Sequence, residues 1–387
     1  MPCDADVIII GGGLAGLVAG IHLSQKKFRV ILIEKQTYPN HKVCGEYISN
    51  EVLPYFNQLG ASVDELNPSR INRFQLSTAS GKSVDSKLPL GGFGISRYRL
   101  DDFLYRKALL SGVQVIQNQV ETVQFEDDLF TVTVSDGKTY TSNLVIGAYG
   151  KRSILDKQLN RPFIQQSSPW LGVKAHYRAD IPNDQVSLHN FEGGYCGLSQ
   201  VEDGIVNACY LAHYSSFKQH KNVAEFQERV LRKNPFLNHF FANAIPLFDK
   251  PLVISQISFS KKQPVENHVL MCGDTAGLIH PLCGNGMAMA IHSAKILSEL
   301  IETHYQPNSF DRVTLDRVAL EKQYTLAWTN EFNKRLTAGR ALQYVLQSPV
   351  ATSLVMKGVQ LTPGILPFII KQTHGNPLIN PAPLDKA

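Results

Sequence analysis

"DVIIIGGGLAGLVAGIHLSQKKFRVILIEK", residues 6–35, decides the fold. Asp6–Ile10 reads as a short buried strand that breaks into three glycines. "LAGLVAGIHLSQ" then carries small and apolar residues suited to a helix, and "FRVILIEK" (Phe28–Lys35) is a second apolar run of strand length. Strand, tight turn, helix and strand within about 30 residues make a βαβ unit. Gly11, Gly13 and Gly16 form G-x-G-x-x-G at the turn, and Glu34 closes the second strand. Gly11 permits the turn, Gly13 lets a pyrophosphate approach the backbone, and Gly16 lets the helix pack on the strand. The bare amides of Leu14 and Ala15 at the helix N-terminus offer partial positive charge to phosphates. Glu34, with Lys35 beside it, is placed to accept ribose hydroxyls; its charge disfavours a 2′-phosphate, so NADP is not expected here. On this stretch alone FAD and NAD both remain open.

The remaining composition narrows the class. A chain of 387 residues is expected to hold two or three structural units. Hydrophobic residues at 43% against 18% charged allow a large ordinary core. The net charge of +5 is scattered, with only short pairs such as Lys26-Lys27 and Lys261-Lys262, so no nucleic-acid partner is expected. Cys3, Cys44, Cys196, Cys209, Cys272 and Cys283 show no C-x-x-C and no metal-ligand spacing with histidine. The expectation is reduced thiols, no metal and a cytoplasmic protein. The opening apolar run follows Asp4 and Asp6, lacks a basic flank and is interrupted by glycines, which argues against a signal peptide. Nowhere is there an uninterrupted apolar run of about 18 residues, so no membrane span is expected.

Further along, Arg70–Leu90 reads as strands around a Ser80-Gly81 turn, and Ser96–Gly112 as an amphipathic helix ending in glycine. Asp136-Gly137 marks a hairpin, and Leu144–Ile146 a buried strand. "WLGVKAHY", "QVSLHNF", "GYCGLSQ" and "GIVNACYL" alternate like half-buried strands of an antiparallel sheet. A helix is expected around Ala224–Arg232. "LVISQISFS" and "HVLMCGD" are read as strands returning to the first sheet. Helices follow from Ala288, then a Pro-rich, frayed tail. The expected fold class is α/β, with a Rossmann-like dinucleotide-binding domain in three pieces, residues 1–69, 96–160 and 252–300. A mostly antiparallel substrate sheet, 70–95 plus 161–251, is inserted into it, and a helical cap spans 301–387.

"MCGDTAGLIHPLCGNGMAMA", Met271–Ala290, is a second glycine-rich, helix-starting loop. With it the chain resembles the flavoprotein group of geranylgeranyl reductases, single-component aromatic hydroxylases and flavin-dependent halogenases over roughly residues 5–300. The resemblance implies a glutathione-reductase-like FAD domain with FAD as cofactor. It implies that Gly273-Asp274 meets the ribityl chain and that Pro281, Gly284, Asn285, Gly286 and Met287 lie beside the isoalloxazine ring. A helix N-terminus there would stabilise the negative charge of reduced flavin. FAD is long, and the two loops would hold its two ends.

Three further segments carry the resemblance. "RYRLDDFLYRKA" is similar to the family's R-x-x-x-D-x-x-L helix and implies that Arg97 reaches the flavin side. "LVIGAYGKRS" implies a cofactor contact at Gly150, and Val120 one near the adenine. "KVCGEYIS" resembles the Cys-Gly segment of the reductase members, which lies over the ring; it implies contacts at Cys44 and Gly45, with Cys44 a catalytic candidate. His280 is expected near the ring or as a structural histidine.

The implied chemistry is C=C reduction of a hydrophobic small molecule, with NAD(P)H or a separate carrier as transient reductant. FAD-dependent hydroxylation with NAD(P)H and O2 is the alternative. Halogenation is disfavoured because Trp170 and Trp328 form no W-x-W-x-I-P motif. A non-catalytic flavin binder and a plain NAD dehydrogenase are further alternatives. Gly277, where the hydroxylases usually have histidine, favours the reductase branch, whereas "YCGLSQVEDG" keeps only Tyr195 of those reductases' aromatic signature. Trp170, Phe191, Tyr195 and Tyr210 are candidate substrate-pocket residues. "LVMKGVQLTPGILPFIIK" is expected to cap the pocket or touch a membrane surface, with Pro363 and Pro367 breaking it. Oligomeric state is left open.

Overall fold

A computed structural model describes residues 3–307, 313–347 and 364–379, with 352, 355, 357–359, 361 and 362. The quoted opening forms strand β1 (Ala5–Ile10), a helix (Leu14–Gln25) and strand β2 (Val30–Glu34). Every residue of both strands is buried, as expected of a parallel sheet covered on both faces. β1 is central, parallel to β2 on one side and to β9 (Thr139–Gly147) on the other. β6 (Gln114–Gln117) extends the sheet beyond β2; β17 (Val269–Met271), edged by β16 (Val265–Glu266), extends it beyond β9. β7 (Val120–Glu126) and β8 (Leu129–Val134) continue into β9 as an antiparallel ribbon. The helix packs closely on the sheet because Gly16 lacks a side chain: a Cβ there would lie 2.0 Å from the Gly11 carbonyl oxygen.

The second sheet has the order β14-β10-β13-β12-β11-β4-β5-β3. Its strands are β3 (Tyr47–Ser49), β4 (Ser69–Ser77), β5 (Ser83–Gly94), β10 (Trp170–Arg178), β11 (Gln185–Phe191), β12 (Gly194–Gln200), β13 (Val206–His213) and β14 (Ile245–Pro246). Neighbours are antiparallel except β4 and β11, which run parallel. One strand assignment needs correcting. "LVISQISFS" gives only β15 (Leu252–Ile254), which pairs with β10 of the second sheet, not the first. The chain regains the first sheet only at β16 and β17. The short β3 also joins the second sheet, so the loop just before it, Lys42–Glu46, lies where the two sheets meet.

The Arg97–Leu110 helix matches its expected span. Helices Gly286–His304, Arg317–Gln347 and Ile365–Thr373 close the chain. Pro367 does not break the last of these; it stands in its first turn, where an amide hydrogen has no intrahelical acceptor. Pro363 lies outside the described residues, as do residues 380–387 of the tail. The start of that tail is tied down rather than frayed. Gly375 N–H donates to Glu51 Oε2 at 2.5 Å, Leu378 N–H donates to the Glu51 carbonyl at 2.8 Å, and Leu378 is buried.

Candidate active site

The glycine loop is built as its spacing implied. Gly11 has φ +106°, and a Cβ there would lie 2.5 Å from the Ala148 oxygen, so glycine is required. Gly12 N–H donates to Glu34 Oε2 at 2.6 Å and Gln36 N–H to Oε1 at 2.9 Å, which fixes the carboxylate at the end of β2. The Tyr38 hydroxyl donates to the Gly12 carbonyl at 2.5 Å, and its ring stacks on Tyr105 with centroids 4.4 Å apart. Gly13 offers no side chain to cap the Leu14–Gln25 helix, so the first-turn amides have no protein acceptor from a cap.

Arg97 lies beside this loop; a Cβ on Gly13 would sit 3.6 Å from its Nη2. Its guanidinium grips Asp101 through two hydrogen bonds of 2.7 Å, and Lys42 donates to the same carboxylate at 2.8 Å. Burial alone would push the Asp101 carboxyl up, but Arg97 and Lys42 outweigh it and hold the group below its ordinary value. Burial likewise works against the Arg97 cation, and Asp101 more than compensates, raising its pKa.

At the other end, Gly273 and Gly284 adopt left-handed backbone, with φ +63° and +62°. Gly150 N–H donates to Thr275 Oγ1 at 2.9 Å, which donates back to the Gly150 carbonyl at 3.2 Å. The nearly buried Lys262 donates to the carbonyls of Asp274 and Lys151, at 2.8 and 3.1 Å. Its burial, with Arg161 nearby, lowers its pKa to about 8. The Asp274 side chain makes no hydrogen bond among the described residues. Asn285 precedes the Gly286–His304 helix without capping it; its Nδ2 donates to the Thr373 carbonyl at 2.9 Å. That helix therefore also starts with bare amides.

Both ends open into one cavity of about 1350 Å³. Gly11, Gly13, Leu14, Ala15, Glu34 and Lys35 line it at the dinucleotide end, with Val120 nearby in the wall. Arg97, Cys44, Gly45, Gly150, Asp274, Pro281, Gly284, Gly286 and Met287 line it further on. Gly16, Gly273 and Asn285 stand behind this wall rather than on it. The remaining arm is bounded by hydrocarbon side chains, among them Leu76, Leu88, Leu188, Leu211, Ile254 and Ile370. Gly45 faces open space: a Cβ there would meet nothing within 4 Å.

The aromatic expectations divide. Tyr195 lines the cavity. Tyr210 also borders it, but its ring packs against Phe191 and Phe226 on the sheet's far face. Phe191 belongs to that far face and Trp170 to a cluster with Tyr195, Leu211 and Leu278; neither lines the cavity. Strand alternation is the reason for Phe191 and Tyr210, since register pairs Val173 with Tyr210 on one face and Gly172 with Leu211 on the other. Trp170 shares the Gly172 face but packs at the strand's start against Phe259 and His280. His280 is a packed histidine behind the wall, 4.5 Å from Phe259 and 6.0 Å from Trp170 by ring centroids. Burial lowers its pKa to about 3, so it stays neutral. Burial also pushes the Cys209 and Cys283 thiols up to about 12.

A cluster absent from the expectations holds the Cys44–Gly45 loop. Glu46, fully buried with φ +56°, accepts from the Arg97 amide at 2.7 Å, from His176 Nε2 at 2.7 Å and from the buried Lys174 ammonium. Asn207 Nδ2 donates to the carbonyls of Cys44 and Gly45, at 3.2 and 2.9 Å. Glu46 was legible only as the residue after Cys-Gly. Lys174 and His176 sat in a strand that read as ordinary alternation.

This construction, two bare helix starts facing one cavity with a fixed acid at β2, defines a dinucleotide-binding flavoprotein. The chain belongs to the family described as FAD binding domain, which matches residues 4–309. It is similar to a menaquinone reductase of Mycobacterium tuberculosis, at 21% identity over 81% of this chain and 80% of that protein. A digeranylgeranylglycerophospholipid reductase of Methanococcus vannielii is 22% identical over 88% and 86% of the two chains. The flavin-dependent brominase Bmp2 superposes with a TM-score of 0.77 at 19% identity, over 95% of this chain and 93% of that one, a likeness of fold.

The chain is thus an FAD-dependent oxidoreductase, and its residues fit the cofactor. The amides of Leu14 and Ala15 would meet the pyrophosphate, Glu34 the ribose, and Asp274 the ribityl hydroxyls. The bare amides at Gly286 would face the ring. Bound FAD supplies hydride or electron transfer. Asp274→Ala is expected to weaken FAD retention about tenfold, the loss of one charge-assisted hydrogen bond. Flavin fluorescence released on dilution measures it, and full retention would remove Asp274 from the ribityl role.

Proposed function

We propose that this oxidoreductase reduces a carbon–carbon double bond of a lipophilic substrate. The observation that carries this reading is the hydrocarbon-lined arm, continuous with the cofactor track and bordered by the Cys44–Gly45 loop. A wall rich in hydrocarbon side chains favours a substrate held largely by apolar burial. A second observation supports the reductase branch over the hydroxylase. At Gly277 even a Cβ would lie 2.7 Å from the Trp328 ring, so Trp328 occupies the place a histidine side chain would need. Cys44 borders the arm and shapes it, and Glu46 holds it in place from behind. NAD(P)H or a separate carrier delivers the electrons.

The test is anaerobic. Flavin-reduced protein is mixed with geranylgeraniol in detergent, and the product mass is read. Flavin reoxidation with product heavier by one hydride and one proton is expected. Reoxidation only with oxygen, giving an oxygenated product, would replace this reading with the monooxygenase one.

A further inference from the structure

We propose that the C-terminal helix and the turn before it form a docking surface for an anionic lipid bilayer. The inference extends the reading of a lipophilic substrate, since this helix is also a wall of the cavity. Leu366, Ile369, Ile370 and Thr373 line the arm from inside. Leu366 and Ile370 pack with Leu76, Val84 and Phe74 of the β4–β5 hairpin.

The other side of the segment leaves large apolar side chains exposed. Leu361 is 85% exposed, Ile365 38% and Phe368 63%. Ile365 and Phe368, three residues apart, lie along one side of the helix, and Leu361 stands exposed shortly before it. A side chain of this kind left in water gains by insertion below the headgroups. The segment is too short to span a bilayer, and among the described residues no helix is long and apolar enough to cross a membrane. It is suited to lie in the interface.

Charge identifies the occupant. From Phe332 to Leu384 the sequence has five basic residues, Lys334, Arg335, Arg340, Lys357 and Lys371, and no Asp or Glu. Arg335 is already paired with Glu51 and Glu331. Lys357 and Lys371 are exposed, flank the apolar stripe and form no ion pair among the described residues. Each lysine near an anionic leaflet raises partitioning about fivefold. A second copy of this chain would bring the same cations into contact with themselves. A bilayer rich in acidic headgroups meets both the stripe and its flanks, and it sets the helix that walls the arm against the phase where hydrocarbon substrates reside.

The test uses full-length, FAD-loaded protein sedimented with vesicles of phosphatidylcholine alone or with phosphatidylglycerol. Binding to the phosphatidylglycerol vesicles is expected, at least tenfold above phosphatidylcholine and reduced by salt. Phe368→Glu should lower it on the order of tenfold or more while flavin content is unchanged. Lys357→Glu with Lys371→Glu should remove the preference for acidic lipid, which keeps the test informative if Phe368→Glu folds poorly. Three outcomes would overturn the proposal: no sedimentation with either vesicle, binding indifferent to all these substitutions, or a dimer in solution that Phe368→Glu dissociates. The readout is binding without turnover, so its failure leaves the double-bond reading standing, and failed reduction of a detergent-dissolved substrate leaves this surface standing.

Discussion

Gly13→Val is expected to give a folded protein stripped of its flavin. Gly13 has φ −85° and ψ −171°, extended backbone open to any residue. A Cβ there touches only the Arg97 Nη2 at 3.6 Å, an ordinary contact. The protein itself therefore tolerates the side chain, which would project into the cavity where a pyrophosphate must approach the helix N-terminus. Overpacking of this kind costs about 1–3 kcal/mol, which at its upper end is on the order of a hundredfold in affinity. The measurement pairs the flavin-to-protein absorbance ratio with a thermal melt. Gly11→Ala supplies the contrast: at φ +106° and 2.5 Å from the Ala148 oxygen it should lose fold and flavin together. Undiminished flavin in Gly13→Val would contradict the phosphate role.

Glu46→Ala carries the second large effect. Its carboxylate is the partner of Lys174, which has no exposed surface. Without it a buried ammonium loses its counter-charge, and the Arg97 amide and His176 lose an acceptor. Breaking a buried pair from one side costs about 3–5 kcal/mol. Urea unfolding should show that loss. Glu46→Leu combined with Lys174→Met should recover much of it, because no charge is then left buried. A loss below about 1 kcal/mol for the single change would show that Lys174 finds another acceptor.

The same group sets an acid limit. Burial would raise the Glu46 carboxyl, but Lys174 and His176 prevail and hold it below its ordinary value of 4.5. A carboxyl depressed in the folded state binds protons more readily when unfolded. Its stabilisation is therefore present above the ordinary value and lost as pH falls through the lower folded value. Melts of the wild type should thus steepen in their decline below pH 4.5, and Glu46→Gln should flatten that part of the profile.

Glu46 also shows where sequence reading stops. The βαβ opening was legible because its determinants are local: an apolar strand, glycines at fixed offsets, a helix and an acid within about 30 residues. The second loop was legible for the same reason, through Gly273-Asp274 and the glycines before the Gly286 helix. Arg97 and Asp101 sit four apart on one helix, so their pairing lay within reach of spacing.

The rest depended on residues far apart in the chain. Glu46 meets Lys174 and His176 across more than 120 positions, with separations of 128 and 130. Nothing local distinguishes those two from polar residues on a solvated strand. Which aromatics reach the cavity was equally hidden. Alternation places Tyr195 and Phe191 on opposite faces, but only sheet packing decides which face is the wall and which is covered by Phe226. β15 read as part of the first sheet because its apolar pattern suits either, and pairing with β10 assigned it to the second. By itself the sequence determined the cofactor-binding elements, whose geometry follows from short-range backbone and charge. Only the tertiary structure decided the cavity's walls, the buried charge cluster behind the Cys44–Gly45 loop and the two-sided C-terminal helix, because strand register and long-range burial select among faces that local patterns leave equivalent.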